Sequence, residues 1–457
     1  MINFKQYILD SSSIIDSDLH SISELYDWIN EANQKTKVSI KLIDLESCTN
    51  WIYDKKEKSI KNLDNSFFNI KGITYNQNGR SVQHPIIVQP EIGYLGIACK
   101  IIKGVLYFLM QSKIEPGNVN VVQISPTIQA TKSNFMRKHG GKSPAYLDLF
   151  ENVDKKNVIV DQIESEQGTR FLAKRNRNII IYVDEDIPIL SSHKWMTLGQ
   201  IRELMKIPNL VNMDTRTVLS LLSFFIFNES KNCASVSLTQ PFLEPSFCEI
   251  VNIFHDLNEH KMKNKKDYSL CSPFELKDWN YVNGAISCKS VFPFDVIFCD
   301  IEIEGREVKH WCQPLFRAKG EALFVLLCRK KNSSFECLVA IRDEIGFFDS
   351  VELGPSLQMD FGEEKYLSDF QKQIFDLTKT SNQIIYDNVL SEEGGRFFHE
   401  ENRNVVILCD GNQFVDMPRG YYWCSIKTLS ILCQINNILN IQLRNLLSLV
   451  EYEYEEN

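Results

Sequence analysis

The sequence lacks any uninterrupted apolar run of the roughly 18 residues that a membrane-spanning helix requires. It opens with Met1-Ile2-Asn3-Phe4-Lys5 and then a stretch rich in Ser and Asp, which is unlike the apolar core of a secretion signal. These two absences predict a cytoplasmic protein.

Metal-binding spacings are also missing. The 13 cysteines are scattered, no Cys-x-x-Cys pair occurs, and the eight histidines show no ligand spacing beside them. This pattern argues against zinc ribbons and fingers, and it predicts reduced, mostly buried thiols and no bound metal.

Long basic tracts are absent as well. The net charge is -9 and the isoelectric point is about 5.6, which argues against non-specific nucleic-acid binding. The densest basic run consists of Lys261, Lys263, Lys265 and Lys266, and we expect it to coat a solvated helix end.

An internal duplication is the most informative feature present. At a spacing of about 228 residues, Trp51 recurs as Trp279, Trp195 as Trp423 and Arg216 as Arg444. The motif 165–171 (Ser-Glu-Gln-Gly-Thr-Arg-Phe) likewise recurs as 391–397 (Ser-Glu-Glu-Gly-Gly-Arg-Phe). A period this long indicates two duplicated domains rather than a solenoid, and we predict repeats over residues 1–230 and 231–457.

Each repeat shows the same order of structural signals. A helical apolar period over 21–32 or 247–259 is followed by β-rich stretches, and then by two helices, the first with Thr197 or Ser425 as its N-cap. This order predicts an α+β unit with a mixed, mainly antiparallel sheet. No Gly/Ser- or Pro-rich tether separates the repeats, so we expect the two copies to pack against each other.

The two copies differ where polar residues concentrate. Residues 108–129 align without gaps on 337–358, but Gln111 corresponds to Ala340, Asn118 to Phe347 and Ser125 to Gly354. The following polar run, 130–141, has no recognisable counterpart in the second copy.

Strand periodicity places Gln111, Lys113 and Glu115 on one face, and Ser125, Thr127 and Gln129 on one face of the next strand. A solvated sheet face is the simple explanation of such a pattern. However, amides and hydroxyls each offer a donor and an acceptor, so their concentration here favours a site for a hydroxyl-rich ligand such as a sugar.

These residues carry a family resemblance. The segments Gln89-Pro90-Glu91-Ile92-Gly93, 108–118, 125–131, Asn134 with His139-Gly140-Gly141, and 168–171 closely resemble the NDP-hexose 2,3-dehydratase family of deoxysugar biosynthesis. The twofold repeat is itself typical of that family, so the resemblance covers nearly the whole chain. Phe135 is a departure, because many relatives have tyrosine there.

The resemblance implies a tandem pair of Nudix-like modules, of which the first is catalytic. It implies a substrate of the dTDP-4-keto-6-deoxy-D-glucose type that loses water across C2 and C3, with no cofactor. It also implies a separate NAD(P)H-dependent 3-ketoreductase that takes the product. We further expect a homodimer. Arg202-Glu203-Leu204 lacks the downstream acidic pair of a Nudix hydrolase.

The expected reaction needs a base at C3, donors at the C4 oxygen and an acid for the departing C2 hydroxyl. His139 is our first candidate for the base or acid because imidazole titrates near neutrality. Glu115 is the rival base, and Lys113 is a candidate donor to the enolate oxygen, although its match to Arg342 also suits phosphate binding.

The remaining candidates are assigned to substrate binding. Arg170 and Arg177 are candidates for the diphosphate, with structural ion pairs as the alternative, and Trp51 could stack on the base, although its match to Trp279 favours a core role. The sugar-binding candidates are Gln89, Gln111, Asn118, Gln123, Ser125, Thr127, Gln129, Thr131 and Asn134.

Two other functions stay open at this point. A Nudix-type nucleotide-sugar pyrophosphatase fits the module but not the missing acidic cluster, and a non-catalytic nucleotide-sugar binding protein fits the polar face without any chemistry. Magnesium-dependent release of a nucleoside monophosphate would identify the first, and binding without turnover would identify the second.

Overall fold

A computed structural model describes residues 4–64, 67–77, 79–135, 143–222, 245–263, 266–304, 308–331 and 334–450. Within these ranges the chain is α+β, and the order of elements in the first copy is repeated in the second. The tandem α+β duplication predicted from the sequence is therefore confirmed.

The helices lie mainly at the ends of each copy. Thr197 and Ser425 are N-caps whose side chains accept a backbone hydrogen bond from the first helical turn, as the sequence predicts, and Ser21 is a further N-cap, at the start of the helix predicted over 21–32. The helices are α1 (Phe4–Ser13), α2 (Ile22–Lys35), α3 (Lys132–Phe135), α4 (Leu147–Glu151), α5 (Leu198–Met205), α6 (Met213–Ser220), α7 (Pro245–Lys263), α8 (Asp369–Thr380), α9 (Ile426–Leu432) and α10 (Ile441–Leu449).

The strands follow one order in both copies. Those of the first copy are β1 (Val38–Ile43), β2 (Trp51–Asp54), β3 (Ser59–Asn62), β4 (Asn69–Gln77), β5 (Arg80–Val88), β6 (Ile92–Ile102), β7 (Val105–Ile114), β8 (Val122–Ser125), β9 (Ile128–Ala130), β10 (Val158–Ser165), β11 (Phe171–Leu172), β12 (Arg175–Tyr182) and β13 (His193–Met196).

Those of the second copy are β14 (Tyr268–Cys271), β15 (Trp279–Val282), β16 (Ala285–Cys288), β17 (Phe294–Ile303), β18 (His310–Ala318), β19 (Ala322–Lys331), β20 (Ser334–Asp343), β21 (Val351–Pro355), β22 (Leu357–Met359), β23 (Ile384–Ser391), β24 (Phe397–Phe398), β25 (Glu401–Cys409) and β26 (Tyr421–Ser425).

Each copy builds two sheets, where the sequence analysis expected one central sheet. The larger sheet of the first copy runs β10-β12-β6-β7-β13, with β8 beside β7 and β9 beside β6, and its β12–β6 pair is parallel. The smaller sheet runs β11-β5-β4-β3-β2. The division falls between β5 and β6, where Pro90 has no N–H to continue a ladder.

The two smaller sheets exchange strands between the copies. Strand β1 of the first copy pairs antiparallel with β17 of the second, and β14 of the second pairs antiparallel with β4 of the first. The boundary expected near residue 230 lies outside the described residues, so it stays a prediction. The exchange shows, however, that each smaller sheet draws strands from both copies.

The largest hydrophobic core is also shared. It joins side chains such as Leu106 and Ile124 of the first copy to Leu353 and Leu443 of the second. The expectation that the copies pack against each other is thereby confirmed.

The basic run near the junction is only partly solvated. Lys261 and Lys263 form exposed ion pairs at the end of α7, while Lys265 lies outside the described residues. Lys266 departs from the prediction because its side chain is largely buried: its amine donates to the backbone oxygen of Glu344, and burial lowers its pKa to about 8.

Two further properties concern the described ranges alone. No helix there is both long and apolar enough to cross a bilayer. The described His, Cys, Asp and Glu side chains form no group of three or more that could hold a metal ion.

Candidate active site

Strands β7 and β8 bring the polar residues singled out in the sequence onto one face. Gln111 is the direct cross-strand partner of Ser125, and Lys113 is the partner of Gln123. Directly opposed residues of an antiparallel pair project to the same side. The predicted polar face is therefore present for Gln111, Lys113 and Ser125, with Gln123 added to it. The prediction was wrong for the rest of the second strand, because β8 ends at Ser125: Thr127 lies between two strands, and Gln129 lies on β9, which pairs with β6.

Lys113 and Glu115 form an ion pair at the end of β7. The Lys113 amine lies 3.0 Å from a Glu115 carboxylate oxygen and donates to the backbone oxygen of Gln129, also at 3.0 Å. Both side chains are only about one-seventh exposed, at 15% and 13%. Partial burial and the second bond hold the ammonium in one place.

Asn212 orders the same face from the adjacent helix α6. Its side-chain N–H groups donate to Ser125 Oγ at 2.9 Å and to Gln129 Oε1 at 3.1 Å. Its carbonyl oxygen accepts from the Thr215 amide as the N-cap of the helix. A helix cap thus fixes two of the candidate substrate-binding side chains.

A second row of polar groups lies beside the start of β6. The Gln89 amide donates to Glu91 at 2.7 Å, and Glu91 faces the Lys174 amine at 3.8 Å. Nearby, the Asn176 amide donates to the carboxylate of Glu166. These residues come from three separate loop and strand ends, which the fold brings together.

A loop of the second copy completes this site. The Gly117 amide donates to Gly394 O at 2.6 Å, and the His399 amide donates to Gly117 O at 2.9 Å. A Cβ atom on Gly117 would lie 1.6 Å from Phe397 O, so only glycine allows this approach. The docked loop carries Glu393 into the site.

Arg396 enters with the same loop. Its guanidinium lies 4.4 Å above the Phe68 ring, and it donates to Gln89 Oε1 at 3.4 Å. We call the resulting group the first cluster, which consists of Lys113, Glu115, Glu166, Lys174, Glu393 and Arg396.

The electrostatics of the first cluster are those of a partly dehydrated site. Burial, with Glu115 as the next contributor, raises the pKa of Glu393 to about 7. Burial also raises the pKa of Glu166 and, with Glu166 nearby, that of Asp214, and it lowers the pKa of Lys174. Burial in this cluster therefore favours the uncharged forms of its carboxyl groups and of the Lys174 amine.

The duplication produces a second cluster at the equivalent place. The Gly346 amide donates a hydrogen bond to Gly168 O at 2.8 Å. The same loop of the first copy places the Arg170 guanidinium 4.4 Å above the Phe294 ring. Arg170 also lies 3.3 Å from Asp360 and 3.5 Å from Glu400. The second cluster consists of Arg342, Glu344, Glu392, Glu400, Gln167 and Arg170.

The clusters differ in charge and in polar lining. Lys174 is replaced by Glu400, and Glu393 is replaced by Gln167, whose amide donates to Glu392. The Gln111–Ser125 pair on β7 and β8 becomes the Ala340–Gly354 pair. Only the first cluster therefore has the amide of Gln111 and the hydroxyl of Ser125 on its strands.

Four of the predicted binding residues have structural partners elsewhere. Arg170 belongs to the second cluster because its loop crosses to the other copy. Trp51 is buried and donates its indole N–H to Cys312 O at 2.9 Å, which supports the core alternative. Thr127 bonds backbone groups of neighbouring strands, and Arg177 forms a two-bond ion pair with Asp161, at 2.7 and 2.6 Å.

Other predicted residues lie in or beside the first cluster. Gln123 donates to Ser391 Oγ of the second copy at 2.7 Å, and Asn118 packs against Gly394. Thr131 follows the end of β9, next to the Lys132 amide that donates to Glu91. His139 and the Asn134 side chain lie outside the described residues.

Several members of this site were not predicted from the sequence, namely Glu393, Arg396, Glu166, Lys174, Asn212 and Asp214. Glu393 and Arg396 reach the site on a loop of the other copy, which local sequence patterns do not reveal. One signal was available, because the duplicated motif differs between Gln167 and Glu393. The structure shows the consequence of that difference: because each loop crosses to the other copy, Glu393 lies in the first cluster and Gln167 in the second.

The similarity of this chain to a solved structure is low. A crystal structure of an ADP compounds hydrolase aligns with a TM-score of 0.20 and 17% identity, covering 33% of this chain and 78% of that one. A likeness this small carries no argument about fold or function.

Sequence comparisons are far stronger. A family model for NDP-hexose 2,3-dehydratase matches residues 22–222 and again 250–450. A Streptomyces violaceoruber protein named dTDP-4-dehydro-6-deoxy-alpha-D-glucopyranose 2,3-dehydratase is 33% identical, covering 93% of this chain and 95% of its own. Proteins of the same name from Saccharopolyspora spinosa and Amycolatopsis orientalis are each 31% identical, covering 98% and 93% of this chain and 94% and 88% of their own. The chain therefore belongs to the NDP-hexose 2,3-dehydratase family.

Proposed function

We propose that this protein is a hydro-lyase that removes water across C2 and C3 of dTDP-4-dehydro-6-deoxyglucose at the first cluster. The name shared by three relatives over nearly the full chain supports the substrate and the reaction. The retention of Gln111, Ser125 and Lys174 at the first cluster alone favours that cluster over the second.

The substrate's own ketone makes the reaction feasible. The C4 carbonyl acidifies the C3 proton, and the enolate formed by its removal expels the hydroxyl at C2. The immediate product is an enol that tautomerises to a 3,4-diketo-2,6-dideoxy sugar. A base, an oxyanion donor and an acid are sufficient for this sequence, and no redox step occurs.

The residue roles follow from chemistry and position. His139 or Glu115 removes the C3 proton, and the Lys113 ammonium donates to the developing C4 oxyanion. Such a donor, already held by Glu115 and Gln129, reorganises little during the reaction. The sugar hydroxyls are bound by Gln111, Ser125 and Gln129.

The product is expected to be the substrate of a second enzyme. A 3,4-diketone is reactive, so a separate NADPH-dependent 3-ketoreductase is the expected partner. We place both enzymes in the cytoplasm, and we expect the dehydratase to be a homodimer, whose subunit number sedimentation equilibrium would measure.

The decisive test is incubation with dTDP-4-dehydro-6-deoxyglucose in deuterated water, with and without a 3-ketoreductase and NADPH, followed by mass spectrometry. Loss of one water with solvent deuterium at C2 is expected. An intact sugar nucleotide would indicate a binding role or a different substrate, and release of dTMP would indicate a pyrophosphatase instead.

The base assignment has its own test. His139→Ala and Glu115→Ala are compared for turnover, with nucleotide-sugar affinity measured separately by calorimetry. We expect one of them to lose turnover by about 100-fold or more while binding is kept. Unchanged turnover in the histidine variant would remove His139 and leave Glu115 as the base.

A further inference from the structure

The first cluster contains a carboxyl group that the sequence analysis did not assign, and it comes from the opposite copy. Glu393 sits at the start of the docked loop, which is fixed to Gly117 by two backbone hydrogen bonds, at 2.6 and 2.9 Å. The Gly395 amide donates to Glu393 Oε1 at 2.7 Å, which orients the carboxyl. The residue as a whole is half-buried.

The second cluster, which we propose to be non-catalytic, has an amide at this position. There Gln167 donates its amide N–H to the carboxylate of Glu392. In the first cluster the equivalent pair is Glu393 and Glu166, two carboxyl groups. A carboxyl can replace an amide donor only while it carries a proton, and two adjacent carboxylates favour retention of one proton.

We propose that Glu393, supplied by the second copy, is the general acid that protonates the departing C2 hydroxyl in the first cluster. The assignment rests on the proposed function. Its geometric basis is the docked loop and the orienting bond from Gly395, and Glu166 lies near enough to act on Glu393 electrostatically. The raised pKa of about 7, caused by burial with Glu115 as the next contributor, agrees with a carboxyl that is protonated below neutrality.

The proton balance closes over one turnover. The base takes the C3 proton, and the electrons of that bond form the C3–C4 enolate. As the C4 carbonyl returns, the C2–O bond breaks and Glu393 gives its proton to the leaving hydroxyl, which departs as water. During tautomerisation the base returns a proton to C2, and the Glu393 carboxylate accepts the proton of the C3 hydroxyl.

Glu393→Gln tests the assignment, because glutamine keeps the Oε1 acceptor for the Gly395 amide but cannot donate as an acid. We expect kcat to fall by about 100-fold or more. The native enzyme should lose activity as pH rises above about 7, where Glu393 ionises, and this limb of the profile should be absent in the variant.

The C3 proton provides a readout that a merely structural role would not change. In Glu393→Gln the base still works, so unreacted substrate should gain solvent deuterium at C3 while little water is lost. Glu393→Asp, which keeps an acid, should recover part of the turnover, and it covers the case in which the glutamine variant folds poorly.

Glu400→Gln is the matched control, because burial raises the pKa of Glu400 to about 7 in the second cluster. We expect its turnover and pH profile to match those of the native enzyme within about threefold. Turnover of Glu393→Gln within tenfold of native, with the alkaline limb kept, would overturn the assignment. Absence of dehydration by the native enzyme would instead overturn the proposed function.

Discussion

Single buried side chains join the two copies at the centre of the molecule. Arg444 is 1% exposed and donates to the backbone oxygens of Ser165 at 2.6 Å and Leu439 at 3.1 Å, and to the Thr217 hydroxyl. Its Nε also lies 3.9 Å from Glu164. One guanidinium from the second copy thus satisfies several groups of the first.

Arg444→Met should be strongly destabilising. It leaves Glu164 buried without its cation and several acceptors without donors, and such losses typically cost about 3–5 kcal/mol. The free energy of unfolding in urea measures the effect. Glu164→Gln in the same background should recover part of the loss, and no recovery would show that Glu164 is not the source of the cost.

Another buried carboxyl predicts a pH effect. Glu352 is fully buried, accepts from Ser165 Oγ at 2.5 Å, and burial raises its pKa to about 8. Between the unfolded value of about 4.3 and this folded value, the folded state holds a proton that the unfolded state has lost. Its contribution to stability is therefore complete at low pH and is lost as pH rises towards 8.

Glu352→Gln should remove this dependence. The first copy has Gln123 at the equivalent position, so the fold already accepts an amide there. We expect the variant to be more stable than the native protein at pH 8, by about 1 kcal/mol or more, and similar to it at pH 5. Equal urea midpoints at both values would contradict the prediction.

The docking of one loop on each copy depends on a glycine at two equivalent turns. An added Cβ would lie 1.6 Å from Phe397 O at Gly117 and 1.8 Å from Phe171 O at Gly346. Neither turn can accept a side chain without moving the loop that it holds. A side chain at either glycine would cause a similar clash, but each clash would affect a different cluster.

Gly117→Ala and Gly346→Ala therefore separate stability from activity. We expect similar losses in thermal midpoint, because each displaces one docked loop. Turnover of the folded fraction should fall by about 100-fold or more in Gly117→Ala, which displaces the acid from the first cluster, and should stay near the native value in Gly346→Ala. The reverse ranking would assign catalysis to the second cluster.

The sequence was sufficient for elements with local signals. The caps at Thr197 and Ser425 depend on short-range bonding, and the polar face on β7 and β8 depends on strand periodicity, so both were predicted. Strand exchange was not, because β1 has the same apolar pattern whichever sheet it joins. The roles of Arg170 and Glu393 were missed for the same reason, since loop docking is a long-range property.

At the scale of the whole molecule, the exchanged strands and shared core predict one cooperative unit. Residues 1–230 expressed alone would lack β14, and residues 231–457 would lack β1. We expect neither half to fold stably alone, and we expect the two halves, expressed together, to form a complex with dehydratase activity. Two separate calorimetric transitions in the intact chain would contradict this picture.

Each docked loop comes from the opposite copy, and this arrangement explains how two different sites can arise from one duplicated unit. If two identical chains exchanged these loops as a homodimer, every substitution would appear in both sites at once. Joining the copies in one chain removes that constraint, so position 174 can be lysine while position 400 is glutamate, and position 393 can be an acid while position 167 is an amide. Covalent linkage thus permits one site to specialise while the opposite half, which still provides part of that site, has to be retained.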